Sequence, residues 1–171
     1  ILIGLAAAVV MRIGLALITV QLLAIVGLLL FVTLFGVLEL GRLAFTVNAL
    51  NESVRRGARL AAVCDIQDAR VLRRAMFNEA DDDGASRLIG GLDGSQLSLA
   101  YLDGNGAEIA GPGLASGFAQ IRYVRLRIEG FVFDLLIPGM QTGLTLPVFE
   151  SILPRESLGR QPDPNEVPEI T

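Results

Sequence analysis

The sequence has no histidine, no tryptophan and no lysine, and a single cysteine, Cys64. Each absence removes a class of chemistry. Without histidine no Ser-His-Asp triad or Cys-His dyad can be built. A Cys/His structural zinc site needs four such ligands, which one cysteine cannot supply. A lone thiol closes no intrachain disulfide, so cysteine usage carries no signal about redox compartment. All 14 basic residues are arginines, set against 18 acids for a net charge of −4. That balance argues against nucleic acid as a partner, because phosphate recognition needs a basic face. Nothing singles out a catalytic pair among the acids. Neither an enzymatic activity nor a cofactor is expected.

What the chain has in excess is apolar sequence. It runs to 171 residues with a mean hydropathy of +0.56, a value too high for an ordinary soluble domain and too low for a multi-span protein. The excess is concentrated at one end. From Ile13 to Leu38 there are 26 consecutive residues without a charge, more than the roughly 20 needed to cross a hydrocarbon core of about 30 Å. Only Thr19, Gln21 and Thr33 are clearly polar within it. This reads as a single membrane-spanning helix, placed at residues 15–38. Residues 1–14 read as a leader or as upstream sequence, although they lack the basic start of a secretory signal. Orientation follows less directly. Arg12 stands on one side of the span and Arg42, Arg55 and Arg56 on the other, and a bare positive-inside count puts the C-terminal part in the cytoplasm.

The helical pattern does not stop at Leu38. Leu40, Leu43, Val47, Leu50, Val54, Gly57 and Ala61 step by three and four, which predicts one apolar stripe on a helix over 39–64. Cys64 falls on the same stripe as a buried thiol. Arg42, Asn48, Glu52, Arg56 and Arg59 are placed on the opposite face. Ile13 to Val63 as one helix would be roughly 75 Å long. Residues 65–153 read as a small α+β module. Asp65 is expected to cap a second helix over 65–80. Leu97, Leu99 and Tyr101 alternate as a strand, followed by the turn signal Asp103-Gly104-Asn105-Gly106 and a return over Ala107–Ala110. Val124, Leu126 and Ile128 alternate, and after Gly130 the parity shifts to Phe131, Phe133 and Leu135 as a bulge would cause. Leu144, Leu146 and Val148 read as a last strand, with Pro147 placing it at an edge. Residues 154–171 read as a disordered tail. The fold class is therefore α+β: a long N-terminal helix, first transmembrane and then amphipathic, a short second helix and a small antiparallel sheet.

Two local patterns carry less than they suggest. Glu79, Asp81, Asp83 and Gly84 take the first, third, fifth and sixth places of a calcium loop, but the twelfth place is Gly90, where a bidentate Glu is needed. These read as loop acids, with no metal site. Gly111, Gly113 and Gly117 have the wrong spacing for a dinucleotide loop, with no clear helix after them, and read as a flexible turn.

The stretch Gly36 to Val63 resembles the TadE-like family of minor pilins. Gly36, Glu39, Gly41, Arg42, Asn48, Ala49, Arg55, Gly57, Ala58 and Arg59 stand at matching positions, and the likeness covers Ile13 to Val63. The resemblance implies a pilin-like component of a tight-adherence (Flp-type, type IVc) pilus, in the bacterial inner membrane with its C-terminal domain in the periplasm. Its implied partners are other pilin or pilus-assembly proteins, membrane lipid and a prepilin peptidase, which would cut after Gly14 to leave Leu15 as the mature start. The fifth mature position, a Glu in most pilin-like chains, is Thr19 here. Gly36 and Gly41 become candidate packing points between subunit helices. Arg55, Arg56 and Arg59 are candidate contacts to acidic lipid or partner acids, with a solvated face as the preferred reading. Two other functions fit the same residues: a minor pseudopilin of a type II secretion system, and a membrane-anchored sensor or binding module with a cytoplasmic domain.

Overall fold

A computed structural model describes residues 2–136 and 143–159. It is α+β, built on one helix. α1 runs unbroken from Leu2 to Val63, about 90 Å at 1.5 Å per residue. No proline interrupts these residues, and leucine, alanine and other good helix formers dominate them. Thr19 and Thr33, which would otherwise expose hydroxyls along the apolar run, donate back to the carbonyls of Ala16 (2.8 Å) and Leu29. Polar groups satisfied within the helix are what a hydrocarbon solvent demands.

The last four turns of α1 form the spine of the module. Leu50, Val54, Ala58, Ala61 and Ala62 are buried there. The stripe read from the sequence holds from Leu43 onward, but Leu40 is exposed and Glu39 takes the inward position instead. α2 covers Ala69–Ala75, shorter than the 16 residues expected, and Asp65 is not its cap. Gln67 has a φ of 59°, so the chain turns after Asp65 and the helix starts late. The cap is Asp68, which accepts from the backbone N–H of Arg70 at 2.9 Å. Hydrogen bonds from the Arg70 side chain and backbone hold the Asp68 carboxyl below its ordinary range. Phe77, with φ 64°, ends the helical segment. Buried Asn78 then organises the acidic loop, donating to the carbonyls of Gly84 and Ala85 and accepting from Arg87 N–H. Asp83 pairs with Arg73 and Asp82 with Arg87, and among the described residues no acidic cluster is arranged to hold a metal.

Three strands form the main antiparallel sheet in the order β1-β2-β5: β1 is Leu97–Leu102, β2 is Tyr123–Ile128 and β5 is Phe149–Pro154. The register aligns Leu99 with Leu126 and Leu126 with Ser151. Alternation does the work the sequence predicts: Val124, Leu126 and Ile128 are fully buried beneath α1, while Arg125 and Arg127 turn to the other face. The turn at Asp103 forms, with Asp103 Oδ1 accepting from Asn105 and Ala107 N–H at 2.8 Å each. Its return arm, however, makes only the single bridge Leu102–Glu108. Gly111 leads into a short helix, α3 (Ala115–Gln120), rather than a flexible turn. Gly117 seats on Gly111, where a Cβ would stand 2.5 Å from the Gly111 carbonyl oxygen.

The parity shift after Gly130 marks a change of sheet, not a bulge. Gly130, at φ 70°, swings the chain out of β2 into β3 (Val132–Asp134), which pairs with β4 (Gly143–Thr145) in a separate two-stranded ribbon. The strand expected at Leu144–Val148 is thus split. Leu144 belongs to β4, Pro147 lies in the connection, and the strand that follows it, β5, is an edge of the main sheet. Nor does order end at Pro154. Leu158 is buried, and the N–H groups of Glu156, Leu158 and Gly159 donate to Ala62 and Val63 carbonyls, capping the exposed end of α1. The remainder of the expected tail, 160–171, lies outside the described residues.

Candidate functional site

The site that the residues build is α1 itself, at the level where it changes solvent. From Val10 to Leu38 the large apolar side chains are exposed on every side, and nothing in the described residues covers them. This is the one helix there long and apolar enough to cross a membrane. Gly14 and Leu15 lie in the lower part of this bare stretch, inside continuous helix, and Leu15 is exposed.

Immediately above the uncharged run, Glu39 and Arg42 sit one helical turn apart. Glu39 is 9% exposed. Its carboxylate accepts from Arg42 Nη1 at 2.7 and 2.9 Å and from the backbone N–H of Leu136 at 3.1 Å. Arg42 in turn lies over the Phe133 ring, 4.9 Å to the centroid, and its Nη2 reaches the Asp134 carbonyl at 3.5 Å. A charged pair at this depth is tolerable because each member is satisfied by the other and by backbone. Together they pin the end of β3 to the helix where the apolar span stops. The sequence pattern places Arg42 on the outer face and marks Glu39 only as a family-motif position, without its inward turn toward Leu136. The available signal was the i,i+3 Glu-Arg spacing at the first charges after an uncharged run.

The other motif positions divide sharply. Gly57 is a packing glycine: a Cβ there would meet Leu126 Cδ2 at 2.1 Å and Ala75 Cβ at 2.7 Å, so β2 and α2 both come close to the helix axis. At Gly36 and Gly41 an added Cβ would meet nothing within 4 Å. Arg55 and Arg59 are exposed, and among the described residues neither forms an ion pair. Arg56, by contrast, lies over Phe77 at 5.5 Å. Arg55 stands about 25 Å along the helix from Leu38, far beyond a Debye length of about 8 Å, which disfavours lipid as its contact. Cys64 is only half-buried, in a groove with Leu60, Val71 and Arg74.

Beside the Glu39–Arg42 pair an open cleft of about 420 Å³ is lined by Phe45, Leu88, Val132, Phe133 and Leu136, with Arg42 at its rim. At the far end of the module, Tyr101 is buried and accepts from Gln67 N–H at 2.8 Å; burial pushes its phenol above the ordinary value.

No curated protein and no solved structure matches the chain. One family model does, over residues 23–59, and it is described as TadE-like protein. The matched segment holds the upper span, the Glu39–Arg42 pair and the helix turns that carry the module. Over that segment, about a fifth of its length, the chain is similar to the TadE-like family.

Proposed function

We propose that the protein is a membrane-anchored minor pilin or pilus-assembly component of a tight-adherence pilus. One observation carries the reading: a single helix is bare and apolar from Val10 to Leu38 and is the core of a folded module above that. Such a subunit is held by the bilayer until its lower helix is exchanged from lipid to neighbouring helices, at little cost because both environments are apolar. Gly36 and Gly41, open on the helix surface, are the positions at which a second helix could approach. Thr19, at the place of the usual pilin Glu, brings no charge into that contact. The module would face the periplasm, and a prepilin peptidase would cut between Gly14 and Leu15. The role is structural, in keeping with the family.

The test is deletion and fractionation. Loss of the chain should abolish surface filaments while the other pilus proteins persist, and the tagged protein should fractionate with the inner membrane and with sheared filaments. Normal filaments in its absence would refute the assembly role. Mass and N-terminal sequence with and without the peptidase then decide processing, with a terminus at Leu15 expected only when the peptidase is present. The arginine count favours a second reading, an anchored cytoplasmic binding module. Labelling a Leu114→Cys variant (in a Cys64→Ser background) with an impermeant maleimide in intact spheroplasts separates the two. Labelling supports the periplasmic placement, and protection until lysis supports the cytoplasmic one.

A further inference from the structure

The underside of the module, around the Glu39–Arg42 pair, presents apolar side chains from three separate segments. Leu136 is 64% exposed, Leu88 48% and Val132 42%, and Phe45 of α1 is exposed beside them. Leu88, Val132 and Leu136 all border the open cleft with Phe45 and Arg42. A cluster of this kind on a folded domain marks a contact surface.

Its position along the helix names the contact. Phe133 lies under Arg42, the Asp134 carbonyl meets Arg42, and Leu136 N–H reaches Glu39. As the chain advances from 133 to 136, its partner on α1 drops from 42 to 39, so β3 descends toward the apolar span. Leu38, the last residue of the uncharged run, is next to Glu39. Phe45 is seven residues above Leu38, about 10 Å along the axis. The headgroup zone on each side of a bilayer is about 5–8 Å thick. The uncharged run of 26 residues is about 39 Å long, in excess of a core of about 30 Å, so its upper end has helix to spare for carrying the module's base down to the lipid.

We infer that this underside is a bilayer-contacting face: Leu88, Val132, Leu136 and Phe45 seat in the interfacial zone of the membrane from which α1 emerges, with Arg42 at phosphate level. Arg42 is suited to that level. Its guanidinium lies over the Phe133 ring while its side chain stays 41% exposed, so the charge rests on an apolar support and still reaches the surface. Glu39, the one acid on this part of α1, is already neutralised by Arg42. The module is thereby held at a fixed height and rotation on the membrane, instead of swinging on its helix.

This inference rests on α1 spanning the bilayer, so the experiment reads both. The full chain, Cys64→Ser, is placed at one copy per lipid nanodisc with a polarity-sensitive fluorophore at Leu136→Cys, Leu88→Cys, Leu114→Cys or Leu28→Cys. Two quenchers are compared: shallow or deep spin-labelled lipid, and aqueous iodide. Labels at 136 and 88 should lose at least half their emission to the shallow lipid quencher and little to iodide. The label at 114, at the opposite end of the module, should do the reverse, and the label at 28 should respond to the deep lipid quencher. If 28 responds but 136 and 88 are quenched by iodide like 114, the face points to water and the inference is wrong while the anchor stands. If 136 and 88 are shielded from both quenchers, protein covers the face and the inference is again wrong. If 28 fails to respond, the spanning helix itself is refuted and the face with it. The substituted leucines are exposed, and far-UV circular dichroism equal to that of the parent confirms that each variant is folded.

Discussion

Gly57 offers the sharpest test of how α1 is used, because the same substitution at two glycines of one helix, Gly57 and Gly41, should give opposite results. In Gly57→Ala the new methyl would stand 2.1 Å from Leu126 Cδ2 and 2.7 Å from Ala75 Cβ. Leu126 can rotate away, but it is fully buried in the centre of the core. Ala75 has no rotamer to change, so α2 must move outward as a unit. Overpacking of this kind costs about 1–3 kcal/mol, and a rigid neighbour places this site at the upper end. Replacing glycine by alanine inside a helix returns about 1 kcal/mol. The net expectation is a loss of about 2 kcal/mol. At Gly41→Ala no atom lies within 4 Å of the new methyl, so only the helix gain of up to about 1 kcal/mol remains.

Amide hydrogen exchange on the full chain in detergent reads this directly, since amides of the central strand exchange through global opening. A loss of about 2 kcal/mol speeds exchange at Leu126 about 30-fold, at 1.4 kcal/mol per tenfold. Gly41→Ala should leave it unchanged or slow it. Unchanged exchange in Gly57→Ala would show that α2 and β2 do not approach the helix as closely as described. The packing argument for this motif position would then fail.

Three further perturbations test separate parts of the structure. Glu39→Ala removes the acceptor of Leu136 N–H and the partner of Arg42; it should raise exchange at Leu136 by 10-fold or more while Leu126 changes little, and Glu39→Gln, which keeps an acceptor oxygen, should fall between. Ser53 is fully buried and, among the described residues, its hydroxyl has no hydrogen-bond partner, so Ser53→Ala should stabilise the module by about 1–2 kcal/mol in urea titration; a loss would refute that. Tyr101 has a folded-state pKa above its ordinary 10.0, so the neutral phenol's contribution is intact below about pH 10 and is lost as pH rises from there through the folded value; Tyr101→Phe should flatten that alkaline decline, read as unfolding against pH from 9 to 12.

The long helix was legible because its signals are long: an uncharged run and a stripe repeated over several turns both average over local exceptions. Strands with a buried face were legible for the same reason, and Val124, Leu126 and Ile128 are buried as their alternation requires. What was not legible depends on single backbone angles or on tertiary partners. Gln67 and Phe77 adopt positive φ without being glycine, so nothing in their identity announced where α2 starts and stops. Gly130 did announce a break, but a bulge and a change of sheet begin with the same residue and differ only in the partner strand. The inward turn of Glu39 was hidden because burying a carboxylate depends on Arg42 and Leu136, and Leu136 is 97 positions away.

The residues shared with the TadE-like segment separate into two kinds. Glu39, Arg42 and Gly57 are engaged by the chain's own module, through hydrogen bonds, a stacked ring and close packing. Arg55 and Arg59 project outward and, among the described residues, have no ionic partner. A side chain that holds nothing within its own subunit contributes little to that subunit's stability, and replacing it on the surface changes stability by no more than about 0.5 kcal/mol. The double variant Arg55→Gln, Arg59→Gln should therefore fold and insert like the parent, with unchanged exchange at Leu126. If these two arginines meet acids of a neighbouring subunit, filament assembly should nevertheless fall in the variant. The defect should be partly rescued by Arg55→Lys, Arg59→Lys, and wild-type assembly should weaken as salt is raised. Normal filaments from the glutamine variant would return both arginines to the solvated face and leave Asn48 and the open glycines below them as the outward positions of the motif.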